Sequence, residues 1–267
     1  MIWSPETDDP HRSHGLPPVQ VTVPTREDLL QDLGARLERG QGFSIATLNL
    51  DHVVKLRRDP AFRRAYSSHS HVTADGRPVV WLTRLSGGDA RLITGSDLIA
   101  PLAALCAKTN TPVAMVGATA QVLKTSAQRL EAQYPGLRVL AQVAPPMGFI
   151  PDSADADAVI DEVAASGARV CFLALGAPKQ EIFAAHAAAR LPNMGFVSIG
   201  AGLDFIAGTQ VRAPRIMRAL AMEWVWRLTT NPKRLAARYT ACLAILPRLL
   251  MRALSERWAR QAKKDPA

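Results

Sequence analysis

A doubly wound α/β fold, a mostly parallel sheet with helices on both faces, is the architecture this 267-residue chain predicts. Three observations predict it. From Pro24 onward, short β-branched runs alternate with longer amphipathic segments, the pattern of successive strand and crossover-helix units. Apolar residues make up 48% of the chain and charged residues 21%, enough for a sizeable core and too apolar for a disordered polymer. The basic excess is confined to the end: Gly208 to Ala267 holds 13 Lys and Arg against 3 Asp and Glu, while Met1 to Ala207 holds 19 against 20. An ordinary globular body with a C-terminal extension that meets an anionic surface follows from that gradient.

Taken in order, the leader over residues 1–24 has neither the basic start nor the apolar run of a signal peptide and is expected to be disordered. The core is expected over 25–207. Its strands fall at 43–48, 71–74, 113–116, 138–143, 169–174 and 196–199, and helical patterns at 26–39, 60–66, 78–85, 96–108, 119–134, 154–165 and 178–189. The stretch GAGLDFIAGTQVRAP has no strong period, and its glycines with Pro214 read as a loop leaving the sheet. Residues 208–267 then read as a basic amphipathic appendage with helices near 214–229 and 232–246, each opened by a proline. In the first of these Ile216, Leu220, Trp224 and Leu228 share a side, and Arg215 and Arg218 lie off it. Cys106, Cys171 and Cys242 are far apart in apolar contexts, so they read as core thiols of a reducing compartment rather than a zinc or disulfide framework. No stretch reaches the roughly 18 uninterrupted apolar residues of a membrane span. A cytoplasmic location is expected.

In an open parallel sheet, ligands bind beyond the carboxyl ends of the strands. Four places qualify. Thr47 and Asn49 project to one side at the end of the first strand, where they serve either a ligand or the cap of a following helix. Asp75 closes HVTA ahead of Gly76 and suits a general base, a ribose hydroxyl acceptor or a helix cap. The turn Leu175-Gly176-Ala177-Pro178 leads into a helix start with Lys179 and Gln180 as added donors, suited to phosphate or a polar substrate edge. Asp204 sits among glycines in GAGLDFIAG, to accept either backbone amides or a sugar hydroxyl. The chain has no GxxxxGK[ST] and no GxGxxG. Asp155 and Asp157 form a DxD pair, but they open a helix, where its dipole favours acids. The histidines lack ligand spacing, so no metal and no cofactor are expected; His52 and His186 read as packing or surface residues.

The blocks TLNLDHVVKLRRDPAFRRAY, ADGRPVVW, RLITGSDL, PPMGF, ALGAPKQEIF, GAGLDFIAGTQVRAPRIMRALAMEWVWRL and NPKRLAARY, in that order, closely resemble the WecG/TagA/CpsF glycosyltransferases, over about Thr25 to Tyr239. The resemblance implies a Rossmann-like core and inverting transfer, without an essential metal, from a UDP-sugar to a polyprenyl-diphosphate-linked saccharide. It also implies a site of action on the anionic inner leaflet of the cytoplasmic membrane. By the same resemblance Asp75 looks like the catalytic base, and Thr47 and Asn49 the polar pair of the substrate pocket. Arg91 matches a basic pocket residue, Gln180 a sugar or nucleotide contact, and Asp204 a pocket carboxylate. Arg212, Arg218 and Arg227 match arginines that reach the acceptor diphosphate. Two departures stand out: Leu50-Asp51 where many relatives carry Pro-Glu, beside the donor pocket, and Ala219-Leu220-Ala221-Met222 where many have Leu-Gly-Leu.

Chemically, inverting transfer needs a base for the acceptor hydroxyl and positive charge for the departing UDP, and arginine's planar fork suits phosphate. Rival readings are another Rossmann-type nucleotide-dependent enzyme, disfavoured by the missing glycine fingerprint, and a membrane or nucleic-acid adaptor. For the second, Trp interleaved with Arg in MEWVWRL is better explained by interfacial anchoring than by base stacking, so no nucleic-acid partner is expected. Self-association into a homo-oligomer is left open, and so is the donor sugar among N-acetylmannosamine, its uronic acid and glucose.

Overall fold

A computed structural model describes residues 1, 3, 18–214, 217, 223–230 and 232–264. Six strands, β1 (Phe43–Leu48), β2 (His71–Ala74), β3 (Val113–Gly117), β4 (Val139–Val143), β5 (Val170–Ala174) and β6 (Gly195–Ser198), form one sheet in the order β2-β1-β6-β5-β3-β4. Every pairing is parallel. The helices are α1 (Arg26–Glu38), α2 (Leu50–Leu56), α3 (Pro60–Ser68), α4 (Arg77–Leu85), α5 (Gly95–Lys108), α6 (Ala120–Gln133), α7 (Ala154–Ala165), α8 (Lys179–Arg190), α9 (Gly202–Ala207), α10 (Glu223–Thr230) and α11 (Pro232–Lys264).

Because successive strand residues point to opposite faces, the strands together feed cores on both sides of the sheet. Phe43, Ile45, Met115, Phe172 and Val197 pack under α1, α5, α6 and α9. Ala46, Leu48 and Val72 pack under α2, α3 and α4 on the other face, and Val116, Cys171 and Phe196 under α7 and α8. The three cysteines are free and buried, as expected of core thiols. Helix starts follow local chemistry: Thr25, Asn49, Asp59, Thr94 and Thr119 each accept a backbone N–H from the first turn, worth about 1 kcal/mol apiece. Gly117 ends β3 at φ 101°, and a Cβ there would lie 2.6 Å from the Ala174 carbonyl carbon, so only glycine lets this turn press on β5.

The strands and long helices lie within a residue or two of the positions expected from periodicity. Three segments differ. Residues 50–56 form the short helix α2, and GLDFIA is the helix α9 rather than loop; seven and six residues are too few for a helical period to show. The helix expected at 232–246 continues through Pro247 to Lys264. Proline deletes one backbone hydrogen bond there, and packing on α2 and α4 offsets the loss: Leu249 and Ala253 are buried in the same core as Val53, Leu56, Val79 and Leu82. Of the expected helix at 214–229, residues 223–230 are helical as α10, and most of the remainder lies outside the described residues. In the leader, Met1, Trp3 and Val19 are buried, Trp3 N–H donates to the Val19 carbonyl at 2.7 Å, and the Met1 ammonium lies 3.7 Å from Glu256 of α11. Residues 2 and 4–17 lie outside the described residues.

Between α2 and α3 an aromatic cluster is built from His52, Phe62, Tyr66 and His69, with ring centroids 5.2 to 5.9 Å apart. His52 Nδ1 and the Tyr66 hydroxyl are 3.1 Å apart, and His69 Nδ1 lies 2.6 Å from the Ala65 carbonyl. Burial pushes His52 down to about 3 and His69 down to about 4 from 6.5. Both are neutral when folded and take up protons when unfolded, so the stability they confer is complete above pH 6.5 and is lost as pH falls toward 3. Buried Glu181, raised by burial from 4.5 to about 7, acts in the opposite sense and costs stability as pH rises from 4.5 through 7. Two histidines outweigh one carboxyl between 4.5 and 6.5. The melting temperature is therefore expected to be highest near pH 6.5 and to fall on the acid side; His52→Gln should flatten that acid limb, measured by thermal denaturation from pH 4 to 8.

Candidate active site

The carboxyl ends of β2, β1, β6 and β5 stand side by side, because these four strands are neighbours in the sheet. Register brings the predicted residues together. Thr47 pairs with Thr73 and Leu48 with Ala74, and the Asp75 N–H donates to the Leu48 carbonyl at 2.8 Å, so Asp75 and Asn49 leave adjacent strands at the same level. Thr47 is buried, and its hydroxyl makes no hydrogen bond among the described residues. Asn49 is the N-cap of α2 and spends only Oδ1 on it, accepting from His52 N–H at 3.0 Å; its Nδ2 has no partner among the described residues. The capping and pocket readings of Asn49 are thus compatible. The cap position of α4 is Gly76 at φ 101°, not Asp75, which is left half-buried at the strand end.

The turn after β5 is laced to its neighbours by Gln180 and by side chains that the sequence did not single out. Lys55 of α2 donates from Nζ to the Ala177 carbonyl at 3.0 Å and lies 2.7 Å from Asp51. Asp51 also meets Arg238 of α11 at 3.1 Å, so the appendage is tied to the helix that Asn49 caps. The i,i+4 spacing of Asp51 and Lys55 is the one sequence signal that pointed there. Gln180 is 3% exposed: its Oε1 accepts from Gly200 N–H at 3.1 Å and its Nε2 donates to Glu181 Oε1 at 2.8 Å. Glu181 is fully buried and, flanked by Ile182 and Phe183, gave no pattern that distinguished it from a helix-face acid.

The remaining predicted residues are dispersed around this edge. Asp204 lies in the first turn of α9 and accepts from the Thr209 hydroxyl at 3.1 Å. Arg91 is exposed beside β2, where Leu92 bridges Ala74 and the Arg91 N–H donates to the Pro24 carbonyl at 2.8 Å. Arg212 is 2.7 Å from Asp97 in the first turn of α5 and lies 5.9 Å from the centre of the Phe205 ring. That first turn abuts the end of β6, since a Cβ on Gly95 would lie 2.7 Å from the Ser198 carbonyl, so Arg212 stands at the rim of the same edge. Arg218 lies outside the described residues, and of the Arg227 side chain, in α10, nothing is described. The DxD acids open α7: Asp157 is 2.8 Å from both His186 and Arg190, and the hydrogen bond with His186 together with the Arg190 guanidinium holds its carboxyl below the usual range. No group of three or more His, Cys, Asp or Glu gathers as metal ligands among the described residues.

The arrangement suits chemistry that needs a carboxylate beside uncommitted neutral donors and a cation at the rim. Among known proteins, the chain is 29% identical over 199 residues to the N-acetylglucosaminyldiphosphoundecaprenol N-acetyl-beta-D-mannosaminyltransferase of Bacillus spizizenii, a match that covers 74% of this chain and 75% of the relative. The model of the glycosyl transferase WecG/TagA/CpsF family matches residues 15–263. With that match over nearly the whole chain, on a parallel sheet whose edge gathers the motif residues, the protein belongs to the WecG/TagA/CpsF family of glycosyltransferases.

Proposed function

We propose that the protein transfers a sugar from a UDP-sugar to a polyprenyl-diphosphate-linked saccharide, with inversion at the anomeric carbon. The observation that carries this reading is the convergence, on adjacent strand ends, of the Asp75 carboxylate with the uncommitted Thr47 hydroxyl and Asn49 amide. The Bacillus relative's name, a mannosaminyltransferase acting on a diphosphoundecaprenol-linked N-acetylglucosamine, supports the lipid-linked acceptor class.

In the reaction, the acceptor hydroxyl oxygen attacks the anomeric carbon as its proton passes to Asp75, and the bond from that carbon to the UDP oxygen breaks with its electron pair leaving on UDP. Thr47 and Asn49 orient the sugar. Negative charge growing on the diphosphate is met by arginine, with Arg91, Arg212, Arg218 and Arg227 as the available cations and Asp204 and Gln180 shaping the pocket. Asp97 keeps Arg212 extended at the rim until a diphosphate competes for it.

α11 supplies the means of meeting a membrane. Leu243, Leu250, Met251 and Trp258 are exposed on it at helical spacing, Trp81 is exposed on α4 beside it, and residues 232–264 hold nine Lys and Arg against one Glu. No helix of the described residues is long and apolar enough to cross a membrane. Peripheral binding to the anionic inner leaflet, through this stripe and its flanking cations, is the reading that follows.

Asp75→Asn should leave the fold intact and lower turnover about 10²- to 10⁴-fold, measured by product formation from a panel of UDP-sugars and lipid-diphosphate acceptors. Turnover close to that of the unaltered protein would remove Asp75 from the mechanism. Transfer should also persist in excess EDTA, since Asp157 is already held by His186 and Arg190; loss with EDTA and recovery with Mg²⁺ would return Asp155, Asp157 and Asp204 to consideration. Finally, changing Leu250, Met251 and Trp258 together to Ser, all exposed, should lower sedimentation with anionic vesicles at least about tenfold at unchanged melting temperature. Equal sedimentation of this variant would place the membrane contact elsewhere.

A further inference from the structure

The pair Gln180–Glu181 at the start of α8 has a geometry that its packing alone does not require. Gly200 N–H is only a donor, so Gln180 must turn Oε1 toward it, and the Gln180 amide nitrogen then faces the Glu181 carboxyl. Glu181 accepts on Oε1 alone. Its Oε2 is buried with no hydrogen-bond partner among the described residues, and so is the Ser198 hydroxyl at the end of β6. A carboxyl buried with one oxygen unpartnered is a costly filler for a helix face, and an apolar side chain of the same volume would be cheaper.

We propose that Glu181 is a positioning residue for the donor pocket: its Oε1 fixes the orientation of the Gln180 amide, which in turn holds the β6–α9 turn at Gly200 against the first turn of α8. The proposal rests on the glycosyltransferase reading above and adds a residue to it. Gly200 has φ 56° and Gly202 packs against Ile99 and Ser96, so residues 200–202, which lead into the helix that holds Asp204, have little support from side chains of their own. The clamp couples them to the β5–α8 turn, which Lys55 holds from the other side through the Ala177 carbonyl. Burial raises the Glu181 carboxyl to about 7, so about half of it is protonated at neutral pH, and an oxygen able to accept from the Gln180 amide is present in both forms; the clamp therefore needs the acceptor atom and not the charge. Glutamine presents the same acceptor oxygen in the same volume.

The test compares Glu181→Gln, Glu181→Met and Gln180→Met in the full chain, by melting temperature, UDP affinity from calorimetry, and KM and kcat for the UDP-sugar. Glu181→Gln should stay within about threefold of the unaltered protein. Glu181→Met should raise the donor KM and weaken UDP binding about tenfold, the loss expected for one orienting hydrogen bond, with kcat changed less than threefold and the acceptor KM unmoved. Gln180→Met should do the same and, combined with Glu181→Met, should do no more. If Glu181→Met does not fold, Gln180→Met alone reads the clamp. Folded variants with unaltered donor KM and UDP affinity, or a Glu181→Gln as impaired as Glu181→Met, would overturn it. An unaltered protein that neither binds UDP nor transfers from any UDP-sugar would remove the glycosyltransferase donor reading and this proposal together, an outcome distinct from an active enzyme indifferent to the substitutions.

Discussion

The parallel register of β1 between β2 and β6 is the constraint on which the site depends. A parallel ladder sends all strands out of the sheet at one edge, and their polar termini collect there because the strand interiors are apolar on both faces. Asp75 lies 26 residues from Asn49 and 28 from Thr47 in sequence and meets them only because Leu48 pairs with Ala74. A shift of one residue in that pairing would turn the β1 side chains to the wrong faces, exchanging Ile45 and Ala46 between two differently sized cores. Packing on both faces therefore enforces the register, and the register makes the site.

The turns beyond the edge are short, and hydrogen bonds supplied by the helices behind them help to set their shape. Lys55 reaches Ala177, Gln180 reaches Gly200, and Asp97 holds Arg212. These bonds are modest singly, about 1 kcal/mol each, but buried donors and acceptors left unmade cost more, which gives each turn one preferred arrangement. The exposed ion pair of Asp157 with Arg190 stands apart from this lacing and contributes little, as screened surface pairs do.

Charge distribution marked the C-terminal residues as an appendage, yet α11 is also a wall of the core. It covers the α2 and α4 side of the sheet with Leu249 and Ala253, pairs Arg238 with Asp51, and places Arg260 on the Gly87 carbonyl. One face is thereby spent on folding while Leu243, Leu250, Met251 and Trp258 remain outside. A helix used in this way joins an exposed apolar stripe to the helix capped by Asn49, at the strand-end edge.

Much of this was legible in the sequence. Period-two and period-3.6 patterns located the six strands and the long helices because both depend on neighbours a few residues away, and the residues of the motif blocks, in their order, carried the resemblance to the family. Asp75, Thr47 and Asn49 could be picked out as strand-end residues, since that position is itself a sequence property. The tertiary structure decided the rest. Strand order set which ends are neighbours; α2 and α9 are too short for a period; and the continuation of α11 past Pro247 depends on packing that no local propensity contains. The roles of Glu181 and Arg238 were invisible, and the spacing of Lys55 from Asp51 showed only a pair within one helix, for the same reason: an acid or a base on a helix looks alike in sequence whether it faces water or, as here, another segment more than a hundred residues away or a buried neighbour.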